Sequence, residues 1–425
     1  MPMVHPEPNP LILLPFPVLL LAIALAPIVL RHHWEIHYHI LCAGLAAITA
    51  SYYVFALNSG SRVLHAGFEY VSFMIVVGAF FVVAGGIHLR VCGHGRPIVN
   101  TAFLLGGALL GNFIGTTGAS MLLIRPWIAM NRNHFAGIHL AFFIFIVSNI
   151  GGALLPVGPP LFLGYLKGVP FWWALERCWL PWGVTLGAVL ALFFLVDTLH
   201  RRKRPGTASE ATNSSAGNWH CEGSINFFFM LALLAALIAA PAGWRELIMM
   251  AIAIAAYFVT PRQVHRANEF TFVPIKEVAW IFLGIFGTMI PVLDYMEIHA
   301  GDLGLHSDLQ IYWGTGVLSA LLDNAPTYLT FLAGALGLHG LSMENAPDMS
   351  AFLAAHDHQL VAISLGATCF GALTYIGNGP NLLVKAIAEH ANVKTPSFFG
   401  YVFKFALPAL VPIFVLISIL FFRKS

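Results

Sequence analysis

The stretch Gly371-Ala-Leu-Thr-Tyr-Ile-Gly-Asn-Gly-Pro-Asn381 interrupts an apolar run with two further glycines, a proline and two asparagines. A helix crossing hydrocarbon should stay regular there, because each freed backbone group costs several kcal/mol unless it is paired or lines a polar cavity. A second interruption lies at Gly152-Ala-Leu-Leu-Pro-Val-Gly-Pro-Pro160, and the two agree at Gly-Ala-Leu, an aliphatic residue and the next glycine. The chain reads as two copies of one unit built around these breaks.

Of the 425 residues, 58% are hydrophobic and only 9% charged, which excludes an ordinary soluble domain and points to a polytopic membrane protein. The net charge of +2 decides little, because the side of the bilayer that each Lys and Arg occupies carries the information. No nucleic-acid partner is expected. The five cysteines are scattered and read as packing residues rather than a metal site or a disulfide framework. The first apolar run, Leu11 to Leu30, lacks a basic flank and a small-residue cleavage site, so it is expected to remain as the first helix.

Runs long enough to cross the bilayer are Leu11 to Leu30, Ile40 to Leu57, Tyr70 to Leu89, His139 to Leu155 (continuing to Leu166) and Trp179 to Val196. A second series comprises Phe227 to Ala242, Leu247 to Val259, Val278 to Leu293, Leu360 to Leu383 and Ala406 to Phe422. Between them, His200 to Asn226 opens with four basic residues and turns rich in Ser, Thr, Asn and Gly, as a linker does. Ordered matches relate the halves. Phe68-x-Tyr70-Val71 pairs with Phe270-x-Phe272-Val273, Gly152-Ala-Leu with Gly371-Ala-Leu, and Leu180-Pro181 with Leu407-Pro408. The expected organisation is repeat one over 1–199, a linker over 200–226 and repeat two over 227–425.

Each half also holds a segment that either kinks across the membrane or enters and returns as a re-entrant hairpin, at about 98–130 and 311–336. Charge separates the two options. With hairpins, fifteen Lys and Arg fall on one side and six on the other, whereas spanning segments split the same 21 residues twelve to nine. The hairpin model is preferred. It gives five crossings per half and about ten in all, inverted repeats, both termini outside and a cytoplasmic linker, as in a bacterial inner-membrane protein. Inverted repeats meeting at broken helices are the architecture of secondary transporters.

Four interruptions at one depth imply a buried polar site. Its side chains are expected to be Asn112, Thr116, Thr117 and Ser120 from hairpin one, Ser148 and Asn149 beside the first break, Asp323, Asn324 and Thr327 from hairpin two, and Thr374, Asn378 and Asn381 around the second break. Gly158, Gly377 and Gly379 are expected to shape the backbone. Hydroxyl, amide and carbonyl oxygens suit sodium, whereas half-helix N-termini favour an anion. Asp323 is the one acid at any interruption, and an ionised carboxylate at mid-membrane needs a partner: sodium, a proton or hairpin N–H groups. The blander alternative is that it only caps the second arm of its hairpin. His32, His33, His37 and His39 cluster after the first span, but no acidic or cysteine set accompanies them to suggest a metal.

Gly-Asn-Phe-Ile-Gly-Thr-Thr-Gly-Ala-Ser from Gly111, Leu-Asp-Asn-Ala-Pro-Thr from Leu322, Ser-Asn-Ile-Gly-Gly-Ala-Leu from Ser148 and the Gly371 stretch together resemble the ion transporter superfamily. Within it, the similarity is closest to D-type sodium/proton antiporters and citrate transporters. The resemblance covers nearly the whole chain except the linker. It implies a scaffold domain, a mobile transport domain, a homodimer, elevator-like alternating access, and sodium and substrate sites at the hairpin tips and broken helices. In relatives an acid is expected in Gly-Asp-Pro-Pro at the first break; here Gly158 is followed directly by Pro159 and Pro160, leaving Asp323 alone.

The first expectation is therefore a sodium/proton antiporter in which Asp323 binds sodium and a proton in turn, with these as the coupling ions and no other cofactor. The alternative is a sodium-coupled symporter of citrate or a dicarboxylate, against which the lack of Arg or Lys within the four interruptions weighs. An intramembrane hydrolase is disfavoured, since neither H-E-x-x-H nor G-x-S-x-G is present.

Overall fold

The computed structural model describes residues 7–90, 95–202, 220–304 and 307–423. Most of the linker, with its Lys203 and Arg204, and also Cys92 and Lys424, lie outside the described residues. The chain is an all-α polytopic membrane protein. Among the described residues, seven helices are long and apolar enough to cross a bilayer.

The chain opens with α1 (Pro15–Val29) and α2 (Arg31–Ser51), which fold back on one another at Leu30. The Asn9 N–H reaches the Tyr52 hydroxyl at 3.1 Å, and Leu19 and Cys42 both meet Gly284, so the two helices run antiparallel. Next come α3 (Gly60–Gly85) and β1 (His88–Arg90), then α4 (Pro97–Asn131). Although α4 is long enough to span, it folds back at Gly115, whose φ of 72° is open to glycine at little cost. Asn100 bonds Asn131 at 2.9 Å, the Phe103 ring stacks on Trp127 at 5.5 Å, and the Gly95 N–H donates to the Met130 carbonyl at 3.0 Å. Both ends of α4 therefore lie side by side.

A broken helix follows: α5 (Gly137–Ile146), an irregular stretch over 147–158, and α6 (Pro159–Leu166). The break starts earlier than Gly152, because Asn149 already sits at φ −135° and ψ −81° with its side chain turned back to the Ile144 carbonyl. Then come α7 (Trp173–Arg202) and β2 (His220–Glu222), which pairs antiparallel with β1, His88 opposite Glu222. This short ribbon fixes the end of the linker beside the end of α3, on what we term the linker face.

The second half begins with α8 (Ile225–Ala239), α9 (Trp244–Val259) and α10 (Arg262–Ala267), then α11 (Val273–Ile298). Helices α3 and α11 are antiparallel along their length. Arg62 pairs with Asp294 at one end, Phe73 stacks on Phe282 at 4.5 Å midway, and Gly85 meets Phe270 at the other end. Helix α2 instead runs parallel to α11, where Gly284 and Gly287 admit Cys42 and Ala46 closely.

A tight turn at Leu322 and Asp323 joins α12 (Asp308–Leu321) to α13 (Asn324–Leu338). The second broken helix comprises α14 (Ala346–Phe370), an irregular stretch, and α15 (Gly379–His390). Gly379 and Pro380 thus begin α15 rather than belonging to the break, in keeping with the preference for proline in the first turn. The chain ends with α16 (Phe398–Tyr401), a π turn at Val402–Ala406, and α17 (Leu407–Phe421). Cys42, Cys178 and Cys369 are packed inside, as expected, whereas Cys221 in β2 is exposed.

Candidate functional site

The four interruptions meet. Gly115, at the fold of α4, lies against the Val157 carbonyl of the first break, and Thr116 packs against Gly152. The Asn112 side chain crosses to the same break, where its Oδ1 accepts the Leu154 N–H at 2.9 Å. Ser120 and Ser148 share a hydrogen bond of 2.8 Å between their hydroxyls. Every one of these residues except Thr117 is buried, and Thr117 is half-buried.

The two breaks bond directly to one another. Asn149 donates to Asn381 Oδ1 at 2.8 Å, while Asn378 donates to the Ser148 carbonyl at 2.8 Å and to Asn149 Oδ1 at 3.2 Å. Asn381 then donates to the carbonyls of Gly371 and Thr374, both at 2.9 Å, which the irregular backbone has released from helical bonding. The asparagines thereby satisfy the open backbone from their own side chains, as burial in hydrocarbon demands.

On the far side, Thr374 donates to the Ala320 carbonyl at 2.6 Å and accepts the Gly377 N–H at 3.0 Å. Asn324, with its amide nitrogen facing the Gly377 carbonyl at 2.6 Å, ties α13 to the second break. A Cβ on Gly377 would lie 2.7 Å from the Gly371 carbonyl oxygen and 2.9 Å from that of Ser319. Contact is that close on both sides. Gly379 meets nothing within 4 Å, so its place is conformational rather than steric.

Asp323 occupies the turn between α12 and α13. Its Oδ1 accepts the Ala325 N–H at 3.0 Å, and the Gly379 N–H at the head of α15 also donates to the carboxylate. One side chain therefore caps two half-helices, where the aligned peptide dipoles favour negative charge. Cap and functional acid are the same residue. Thr327 turns back to the Asp323 carbonyl at 2.9 Å, so its hydroxyl serves the turn.

Two features escaped the sequence reading. On the linker face, a cavity of about 990 Å³ opens between the second arm of α4 and α15, with Arg125, Arg132, His390 and Lys394 among its lining and Glu269 as the one acid. Arg125 pairs with Glu269 at 2.8 Å. On the opposite face, Arg62 and Lys167 meet Glu69, Asp294 and Glu344 in a largely buried cluster. Counting acids as well as bases by side would have grouped these residues.

Lys167 and Glu344 lie outside the spans. Burial would raise the Glu344 carboxyl, but the His65 hydrogen bond and the Lys167 and Arg62 charges hold it well below the usual carboxylate range. Burial alone would lower Lys167, yet Glu69 and Glu344 keep it above the ordinary lysine value. The histidines after the first span, His32, His33, His37 and His39, make ring contacts, such as His33 with His37 at 6.3 Å, and His37 Nδ1 lies 3.1 Å from the His33 carbonyl.

A comparison with curated proteins finds no match to this chain. A family model described as "Putative citrate transport" matches residues 7–422. That match spans both hairpins, both broken helices and every helix between them, and by it the chain belongs to this citrate transport family.

Proposed function

We propose that the protein is a secondary active transporter carrying a small carboxylate anion of the citrate class, driven by a coupling cation held at Asp323. The observation that carries this reading is the junction itself, in which two broken helices and two hairpin turns interlock through Ser148, Asn149, Asn378 and Asn381. Such a junction presents unwound backbone and half-helix ends to a ligand without exposing them to lipid. The family's description supports the anion.

The basic cavity adds to that support. No Arg or Lys stands within the four interruptions, which favoured a cation as cargo on sequence grounds. With Arg125, Arg132 and Lys394 around the approach, a multiply charged anion is attracted to the site without a fixed cation inside it. Because their amides are engaged with backbone, the asparagines act as positioning residues. Thr117, the Asp323 carboxylate and the N–H groups of the turns are the ligand-facing set.

The antiparallel α3 and α11, the two hairpins entering from opposite faces and the two broken helices support inverted repeats over 1–199 and 227–425. In this reading α3 and α11 belong to a scaffold, the hairpins and broken helices move as one elevator-like unit, and two chains pair as a homodimer in a bacterial inner membrane. The linker face is cytoplasmic.

A second reading, sodium/proton antiport, is favoured by Asp323 being held by backbone N–H groups, which leaves the carboxylate able to exchange a cation for a proton. The test is purified protein in liposomes, with labelled citrate outside, a trapped pH dye, and imposed sodium or proton gradients. Gradient-driven accumulation of citrate, lost in Asp323→Asn, supports the symporter. If sodium collapses a pH gradient while citrate stays outside, antiport replaces it.

A further inference from the structure

The charged cluster opposite the linker face has a composition that the transport site does not explain. From α3 it takes Arg62, His65 and Glu69; from α11, Asp294 and Glu297; from the end of α6, Lys167; and from the loop between α13 and α14, Glu344. Tyr53 donates to Asp294 at 2.7 Å, and Glu297 accepts the Met343 N–H at 2.9 Å. Lys167 bridges Glu69 at 2.7 Å and Glu344 at 2.6 Å, and Arg62 reaches both Asp294 and Glu344.

Glu69 and Glu344, which sit on different elements, thus share both the Lys167 ammonium and the His65 ring. The cluster falls on two bodies: α3 and α11 are the fixed pair in our reading, while Lys167 and Glu344 close the broken helix one and hairpin two. His65 lies between the Glu69 and Glu344 carboxylates. Its Nε2 is 3.3 Å from Glu69 and 3.1 Å from Glu344, one carboxylate on each body, and more than half of its side chain is open to water.

We propose that His65 is a proton-binding site, separate from the transport site, whose proton fastens the mobile hairpin and broken-helix unit to α3 and α11 on this face. With the proton bound, imidazolium bridges Glu69 and Glu344. Without it, that bridge is lost and Glu344 with its loop is held by Arg62 and Lys167 alone, so the hold between the two bodies weakens. Glu344, held far below its usual range, stays ionised through the neutral region, so the histidine is the group that switches. The fastening is therefore strongest in acid and weakens as pH rises.

The proposal rests on the alternating-access reading for its purpose, but its test does not. In full-length protein in nanodiscs, with native cysteines replaced, spin labels at Ser61→Cys and Ser350→Cys report the distance from α3 to the start of α14; both sites are exposed. Between about pH 6 and pH 10.5 the short-distance population should fall roughly twofold or more. His65→Gln should show the high-pH distribution throughout, and His65→Arg, which keeps a positive charge, the low-pH one. An unchanged distribution across pH in the parent protein, or the same pH response retained in His65→Gln, overturns the proposal. Because no substrate is present, neither result depends on what is carried. Loss of citrate uptake with the distance switch intact would refute the transport reading alone.

Discussion

Asp323 accepts the Ala325 N–H, and asparagine keeps an oxygen that can do the same. Asp323→Asn should therefore leave the thermal midpoint nearly unchanged while abolishing coupled uptake, whereas Asp323→Ala should lose uptake and also about 1 kcal/mol of stability with the cap. Comparing unfolding and uptake in the two variants separates charge from capping. In the opposite-face cluster the signs differ. Lys167 and Glu344 are almost fully buried, so Lys167→Met leaves Glu69 and Glu344 short of a cation and should cost about 3–5 kcal/mol in denaturant unfolding. Replacing Glu344 by Leu in the same chain should recover part of that loss, because one fewer buried charge is left without its partner.

At the scale of elements, the interruptions were the legible part. The glycines Gly152, Gly158, Gly371 and Gly377, clustered with prolines and asparagines, marked where a membrane helix is interrupted, and the structure is irregular over 147–158 and again before Gly379. The first break begins at Val147 because Asn149 bonds backward to Ile144, a side-chain choice that composition does not reveal. The fold of α4 was expected from charge sidedness, and Gly115 supplies it. Gly115→Ala should strain the turn by about 1–3 kcal/mol, because its φ of 72° with ψ of 157° is open essentially to glycine alone, and should slow transport more than it lowers stability, measured as uptake against thermal midpoint. The Asn149, Asn378 and Asn381 amides were expected to be ligands. Asn149 and Asn381 turn to carbonyls within ten residues, whereas Asn378 reaches the Ser148 carbonyl 230 residues away, a meeting of the two breaks that no local pattern encodes.

For the whole molecule, the sequence suggested a sidedness of charge, and the structure places Arg62 and Lys167 together on one face and Arg125 on the other. What the count could not give was which residues meet across elements. Arg125 in hairpin one pairs with Glu269 before α11 on the linker face, which in the proposed elevator reading joins the mobile unit to the scaffold. A thiol-cleavable cross-linker between Arg125→Cys and Glu269→Cys should therefore stop uptake and reductant should restore it; uptake that continues when cross-linked would contradict relative motion of these elements. The most direct test of the central claim is counterflow. Vesicles holding the purified protein and unlabelled citrate are diluted into trace labelled citrate with no ion gradient. The account predicts a transient accumulation of label above equilibrium that is absent in Asp323→Asn. Label that never enters, in vesicles where added sodium discharges a pH gradient, would contradict it.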